Sequence, residues 1–139
     1  MSPVLAIRDL SARAGDTPVL RRISLTVNRG EVMALVGESG AGKSTIAKAI
    51  LGILPAGIAV TSGTIEFQGT DLLKLRPAEM QALLGVKIAL IPQDPQTSLN
   101  PSRRIGDQLT DGLRLRAGMA RTEAREKALN LLADVHIRD

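Results

Sequence analysis

Residues 32–45 read VMALVGESGAGKST and join two different sequence patterns. Residues 32–36 are apolar without alternation, which predicts a strand covered on both faces in a parallel sheet. Residues 43–51 place apolar side chains at helical spacing, which predicts a helix that stops near Gly52 and Pro55. Between them, residues 37–44 satisfy G-x-x-x-x-G-K-[ST], so this glycine-rich segment is predicted to connect a buried strand to a helix N-terminus.

The glycine-rich segment has the composition of a phosphate-binding loop. Its glycines permit backbone angles that point successive N–H groups at phosphate oxygens, and the helix dipole adds partial positive charge there. Lys43 is placed to reach the β- and γ-phosphates of a nucleotide, Ser44 offers Mg²⁺ a hydroxyl oxygen, and Thr45 is placed to contact the α-phosphate. The predicted ATP-binding residues are Gly37, Glu38, Ser39, Gly40, Ala41, Gly42, Lys43, Ser44 and Thr45.

Composition limits the other classes of function. The chain has 139 residues, 44% of them hydrophobic, and Phe67 is its sole aromatic residue. The net charge of +4 comes from basic residues scattered among acids, without aromatic platforms for stacked bases, so nucleic acid is not an expected partner. The sequence has no cysteine, no signal-peptide pattern and no apolar run near the roughly 20 residues that span a bilayer. We therefore expect any association with a membrane to be through partners.

Strands are predicted on both sides of the loop. Residues 4–7 and 23–27 read as peripheral antiparallel strands, and residues 64–68 read as a further strand; the last two of these segments alternate as half-buried strands do. Residues 86–91 form a second continuous apolar run, which predicts another buried strand ended by Pro92.

Helices are predicted mainly in the second half of the chain. A short helix is expected over residues 78–84 with Pro77 in its first turn, and residues 94–104 are expected to form a loop because they contain two prolines. The pattern beyond that loop is helical. Its last helix is predicted from Ala124, Ala128, Leu131, Leu132 and Val135, with Thr122 as N-cap and Glu123 and Lys127 as an exposed pair.

Many classes of enzyme share such a phosphate loop, so the segment after residue 88 has to discriminate among them. Residues 88–91 followed by Asp94 could be read as the hydrophobic strand and acid that hold Mg²⁺ in kinase-like NTPases. Pro92 would break strand pairing before that carboxylate, and the chain has no N-K-x-D motif of the kind that reads a guanine base. Both features disfavour a soluble kinase or GTPase.

Four further segments resemble one family of ATPases. Residues 91–95, IPQDP, resemble the Q-loop of ABC ATPases, and residues 97–101, TSLNP, are similar to its continuation in importers of oligopeptides, dipeptides or nickel. Residues 51–63, LGILPAGIAVTSG, and residues 105–109, IGDQL, are similar to segments that these importers carry before the third strand and after the Q-loop. The chain thus resembles the N-terminal half of the ATP-binding subunit of such an importer.

The resemblance implies an α/β fold. This fold would be a partial P-loop NTPase core of the ABC type, with an antiparallel β subdomain and the start of a helical subdomain. Residues 1–92 would form the N-terminal part of the nucleotide-binding core, which contains the Walker A loop. Residues 93–139 would form the Q-loop and the start of the helical subdomain, and the C-terminal half of the family's domain would be absent.

The resemblance also implies cofactors, partners and a location. ATP and Mg²⁺ would be the cofactors, with Ser44 and Gln93 contacting the metal and Gln93 also placed to contact the attacking water. Transmembrane permease subunits and a second ATPase subunit would be the partners, on the cytoplasmic side of the bacterial inner membrane. The transported solute cannot be read from this chain, because solute choice belongs to other subunits.

Several elements of the family's active site do not occur in this sequence. These are the LSGG-type signature, the hydrophobic strand that ends in Asp, the adjoining catalytic Glu and the switch His. Two hypotheses therefore stay open: an energy-coupling ATPase subunit completed by the missing half, and a truncated, inactive remnant that binds nucleotide weakly or not at all. We expect Asn100, Arg103 and Arg104 to be solvated loop residues or partner contacts, and His136 to lie at the surface or in packing.

Overall fold

The structure, a computed structural model, describes residues 3–94 and 98–137. The chain divides into two compact units, Met1–Gln81 and Ala82–Asp139. The first unit is built on a four-stranded antiparallel sheet in the order β2-β1-β3-β4. Its strands are β1 (Leu5–Ala14), β2 (Thr17–Val27), β3 (Ile58–Phe67) and β4 (Thr70–Asp71), and helix α1 (Lys43–Ile50) lies between β2 and β3 in sequence.

The strands predicted at residues 4–7, 23–27 and 64–68 are confirmed, since each overlaps one of the longer strands β1, β2 and β3. Ile7, Leu10 and Ile65 are the largest fully buried side chains of the chain, and they lie on the two strands that pair at the centre of the sheet. Burial of such aliphatic side chains stabilises a fold by about 1.5–3 kcal/mol each relative to exposure. The sheet therefore forms the hydrophobic core of the first unit.

Two matched irregularities interrupt the pairing of strands β1 and β2. Asp9 and Arg22 both adopt positive φ angles of 48°, at shifts in the pairing register. The N–H of Asp9 donates to Ser24 Oγ at 2.9 Å, and the N–H of Arg22 donates to Ser11 Oγ at 3.1 Å. Serine hydroxyls on the opposite strand therefore satisfy amides that the irregular pairing leaves out of the ladder.

The strand predicted at residues 32–36 is not formed in this structure. These residues have no regular secondary structure, and Val32 and Val36 are 96% and 93% exposed. A strand that is buried on both faces takes its hydrogen bonds from parallel neighbours and its cover from helices on either side. The sheet of the first unit is antiparallel and does not include these residues, so the segment that leads into the glycine-rich loop stays exposed.

The second unit contains two helices, α3 (Ile105–Leu115) and α4 (Arg121–Asp134), which pack against each other through buried Thr110, Ala124 and Ala128. The short helix α2 (Pro77–Leu83) begins in the first unit and ends in the second, with Pro77 at its first position as predicted. The strand predicted at 86–91 is also not formed. Leu84 and Ile88 make one isolated parallel bridge, and Ile91 is 93% exposed.

Details of α4 correct the predicted helix. The helix begins at Arg121 with Ala120 as N-cap, so Thr122 is not the cap, and Glu123 and Lys127 are not paired among the ion pairs of the described residues. Ala124 and Ala128 are buried as predicted, whereas Leu131 and Val135 are 50% and 64% exposed. Within residues 3–94 and 98–137, no helix is both long and apolar enough to cross a membrane.

Candidate nucleotide-binding loop

The glycine-rich loop, residues 37–42, turns back on itself before helix α1. The N–H of Ala41 donates to Glu38 O at 3.2 Å, and Gly40 and Gly42 adopt positive φ angles of 85° and 86°. Glycine has no Cβ to oppose these angles, so the pattern of the motif and the geometry of the loop agree. All residues from 37 to 41 are exposed, and the loop is open to a ligand.

The Lys43 side chain lies over the loop that precedes it. Its Nζ donates to Gly37 O at 2.7 Å and to Glu38 O at 2.6 Å. These contacts hold the ammonium group against the carbonyls at the start of the loop. Hydrogen bonds from a charged donor are stronger than neutral ones, so the two carbonyl contacts fix the position of the ammonium group without a nucleotide.

The N-terminus of α1 is chemically suited to an anion. Gly42 is its N-cap residue, which makes no side-chain cap, and its first turn contains no acidic residue. The first amide groups of a helix have no partner inside the helix, and the dipole places partial positive charge there. Ser44 is exposed at this end and Thr45 is partly exposed, so phosphate oxygens and a cation beside them can be reached by both hydroxyls.

Gly42 also fastens the loop to the sheet. A Cβ at this position would stand 2.7 Å from Leu20 Cδ2 and 3.1 Å from the backbone oxygen of Val19. The loop therefore approaches β2 so closely that a Cβ at this position would displace the end of the Leu20 side chain. The motif alone requires a glycine here, and the structure adds that this glycine packs on a buried core residue, Leu20.

Gln93 belongs to the second unit, whereas residues 37–45 belong to the first. Gln93 is exposed in a bend that directly follows Pro92. Its predicted contact with Mg²⁺ or water, together with Ser44, stays a prediction. No group of three or more His, Cys, Asp or Glu residues capable of holding a metal ion occurs among residues 3–94 and 98–137.

The loop residues that precede α3 are more ordered than their sequence indicates. Arg103 Nη2 pairs with Asp111 Oδ2 at 2.6 Å, and Asn100 exchanges hydrogen bonds with the side chain of Gln108. Sequence reasoning gave Gln108 no role. The sequence predicted solvated loop residues or partner contacts for Asn100 and Arg103. Their contacts with Gln108 and Asp111 each span eight residues, and such contacts leave no periodic signal in the sequence.

The remaining polar positions behave more simply. Arg104 is exposed, and its side chain makes no ion pair or hydrogen bond with another residue in the described part of the chain. His136 lies just after α4 with a positive φ of 62°, is exposed, and donates its N–H to Ala133 O at 2.9 Å. It is a surface residue at a helix end. Of the segments similar to importers, residues 95–97 lie outside the described residues.

A family model and the curated relatives described below all indicate the same family for this chain. The family model described as "ABC transporter" matches residues 20–139. The probable D,D-dipeptide transport ATP-binding protein DdpD of Escherichia coli (strain K12) is 43% identical over 142 residues, which cover 99% of this chain and 43% of that protein. The dipeptide transport ATP-binding protein DppD of Bacillus subtilis (strain 168) is 39% identical, over 100% of this chain and 43% of its own length.

Solved structures give the same result for the fold. A structure described as that of an ATP-binding subunit of an ABC transporter superposes with a TM-score of 0.72 at 25% identity, over 96% of this chain and 51% of the other. A bacterial Atm1-family ABC exporter with ATP bound gives a TM-score of 0.62 at 28% identity, over 78% of this chain and 17% of the other. The chain spans less than half the length of the curated relatives it matches.

Proposed function

Since the chain belongs to the ABC transporter family, we propose that it binds Mg-ATP through residues 37–45 as the energy-coupling subunit of a bacterial importer of peptides or nickel. One observation supports this most directly: Lys43, the first residue of the uncapped N-terminus of α1, donates its ammonium protons to the Gly37 and Glu38 carbonyls of the loop. Relatives described as dipeptide transport ATP-binding proteins support the peptide class. Nickel rests on the resemblance of residues 51–63 and 91–109 alone.

Each residue of the loop has a defined task in this proposal. The amides of the loop and of the first turn of α1 donate to phosphate oxygens, and Lys43 exchanges its two carbonyl contacts for the β- and γ-phosphates. The Ser44 hydroxyl and the Gln93 amide oxygen contact Mg²⁺, which neutralises the phosphates and prefers oxygen ligands. Gln93 also contacts the attacking water. The loop then positions the nucleotide, and positioning with electrostatic stabilisation is most of what phosphoryl transfer requires.

The proposed partners follow from the same family membership. Transmembrane permease subunits would contact the chain at the cytoplasmic face of the bacterial inner membrane, and a second ATPase subunit would complete the nucleotide site. Membrane association would be through these partners. No nucleic acid is proposed as a partner, since the sequence supplies no aromatic platform for bases.

A second candidate function is a remnant without turnover that binds nucleotide weakly or not at all. The exposure of Val32 and Val36 favours it, because the segment that leads into the loop has no sheet to hold it in place. If nucleotide binding had to order this segment, the ordering would cost about 1–2 kcal/mol for each residue fixed. Both candidates share the loop and differ in affinity and turnover.

Calorimetric titration of the chain tests the proposal. Mg-ATP is expected to bind, and Mg-AMP, which lacks the β- and γ-phosphates that Lys43 would contact, is expected to bind at least about tenfold more weakly. Equal affinity for the two nucleotides would contradict the assigned role of the loop. A parallel assay of phosphate release separates the two candidates, since steady turnover that Lys43→Ala abolishes would exclude the inactive remnant.

A further inference from the structure

The side chain of Gln108 makes three hydrogen bonds to the backbone of the segment before α3. The N–H of Asn100 donates to Gln108 Oε1 at 2.8 Å. Gln108 Nε2 in turn donates to Asn100 O at 3.0 Å and to Arg103 O at 3.1 Å. The primary amide of Gln108 thus pairs with both the N–H and the carbonyl of Asn100, as a neighbouring strand would. It also donates to the carbonyl of Arg103, three residues further along the chain.

A second contact ties the same segment to the same helix. Arg103 Nη2 pairs with Asp111 Oδ2 at 2.6 Å, and Asp111 lies three residues after Gln108, so the two side chains leave adjacent positions of α3. Inside the segment, the N–H of Ser102 donates to Asn100 Oδ1 at 2.9 Å and the N–H of Arg103 donates to Asn100 O at 3.1 Å. We call this group, Asn100, Arg103, Gln108 and Asp111, the Gln108 clasp.

The chemistry of the clasp is specific to glutamine. The position needs an acceptor for one N–H and two donors for two carbonyl oxygens, and a primary amide supplies both. Asparagine would be one methylene shorter, and an ionised glutamate would present only acceptors to the two carbonyls. The bonds are exposed to water, so each contributes modestly, and the three act together because one side chain makes them all.

We propose that Gln108 is a positioning residue that holds residues 100–103 on α3, so that this segment and the helix move as one unit. The segment lies between Gln93 and α3 in the sequence. Its relevance to nucleotide coupling rests on the proposed function, in which Gln93 contacts Mg²⁺ and water. A displacement of α3 by a partner would then carry residues 100–103 with it.

Amide hydrogen exchange on the full chain without nucleotide tests the clasp directly. Gln108→Met preserves the length of the side chain and removes all three bonds, and it is expected to accelerate exchange at Asn100 by about tenfold or more while α4 keeps its protection. Gln81→Met is the matched control, because the side chain of Gln81 in α2 makes no hydrogen bond with another described residue. Unchanged exchange at Asn100 in Gln108→Met would overturn the proposal.

A second variant keeps the test decisive if Gln108→Met loses structure elsewhere. Gln108→Glu retains the acceptor for the N–H of Asn100, but its ionised carboxylate faces two carbonyl oxygens. Between about pH 6 and pH 3 the introduced carboxyl gains a proton and can again donate one bond, so protection of residues 100–103 is expected to rise as the pH falls. The wild-type chain should show no such rise. Protection equal to wild type at every pH would contradict the role of the two donors.

Addition of Mg-ATP distinguishes failure of the clasp from failure of the proposed function. In the wild-type chain, any change in the exchange rate at Asn100 should be accompanied by a change at Gln108 and Asp111 in α3. In the Gln108→Met variant, the exchange rate at Asn100 should change independently of the rates in α3. A change in exchange of the wild-type chain that is confined to residues 100–103 and does not extend to α3 would overturn the proposal. If the wild-type chain binds no Mg-ATP, the proposed function fails, while the nucleotide-free exchange still decides whether Gln108 holds the segment.

Discussion

Gly42 packs so closely on Leu20 that a Cβ on the glycine would stand 2.7 Å from the Cδ2 atom of the leucine. The contact joins the end of the glycine-rich loop to the hydrophobic core of the first unit, because Leu20 is buried in β2. The position of the loop is thus set by the sheet as well as by its own glycines. Adding one methyl group at Gly42 measures how much the contact with Leu20 contributes to the free energy of unfolding.

Gly42→Ala is expected to destabilise the first unit and to weaken nucleotide binding. The left-handed angle costs an L-residue about 1–2 kcal/mol, and the overlap with Leu20 and Val19 O adds about 1–3 kcal/mol. Gly40→Ala is the matched control, since Gly40 has nearly the same φ but nothing within 4 Å of its added Cβ. Urea unfolding of both variants measures the difference, and equal losses would show that the contact with Leu20 contributes nothing.

Lys43→Ala is expected to weaken Mg-ATP binding by about 10- to 150-fold, because it removes charge-assisted contacts worth roughly 1.5–3 kcal/mol. Lys48→Ala removes an equal charge from the last turn of the same helix and should leave the affinity within about twofold. Calorimetry provides both affinities. Equal binding by Lys43→Ala and the parent chain would refute the assignment of the loop.

Gly63→Ala is expected to be among the most damaging alanine substitutions in the sheet. Gly63 has a φ of +95°, and its added Cβ would lie 2.6 Å from Arg8 O, Leu10 N and Leu10 Cα. Backbone atoms of a central strand cannot move aside as a side chain can, so we expect a loss of about 3 kcal/mol or more. Gly57→Ala, at φ +86° with open space around it, should lose only about 1–2 kcal/mol in the same denaturation experiment.

Glu79→Gln is expected to reduce stability at neutral pH and to have less effect in acid. The hydrogen bond from the Arg76 side chain, and then that from the Arg76 backbone N–H, lower the pKa of Glu79. A lowered folded-state pKa contributes stability above the ordinary pKa of the carboxyl, and this contribution is lost as the pH falls through the folded value. The stability difference between parent and variant should therefore close between about pH 5 and pH 3.

The matched control for this experiment is Glu126→Gln on α4. Glu126 is exposed and makes no ion pair or hydrogen bond through its side chain with another residue of the described ranges. The difference in free energy of unfolding between Glu126→Gln and the parent chain should vary less with pH over the same range. A Glu79→Gln difference that stayed constant or grew toward acid would show that the contact with Arg76 does not stabilise α2.

Gln93→Ala is expected to lower ATP turnover more than Asp94→Asn does. In a chain that carries the full length of its relatives, losing the contact of Gln93 with Mg²⁺ or water should reduce turnover by roughly 100-fold, since a small misplacement of reacting groups costs about that much. Asp94→Asn, with the charge removed and the shape kept, should cost less than about tenfold. The opposite order in steady-state phosphate release would favour the kinase-like interpretation of residues 88–94.

The amino-acid sequence by itself determined the elements whose signals are local. Alternation of apolar residues predicted the strands that contain Leu25 and Ile65, because a strand repeats every two residues wherever one face is buried. The backbone geometry of the glycine-rich loop was also predictable. Gly40 and Gly42 take left-handed angles that few other residues tolerate, and Lys43 follows at the fixed spacing of the motif.

The tertiary structure alone decided the features that depend on distant partners. The apolar run at residues 32–36 predicts a buried strand, but a strand also needs neighbours for its hydrogen bonds, and the sheet of the first unit provides none for it. The contact of Gly42 with Leu20 and the bonds of Gln108 to Asn100 likewise join residues whose side chains carry no mutual signal in the sequence. Pairing across space depends on the whole fold, whereas periodicity and turn chemistry depend only on the nearest residues.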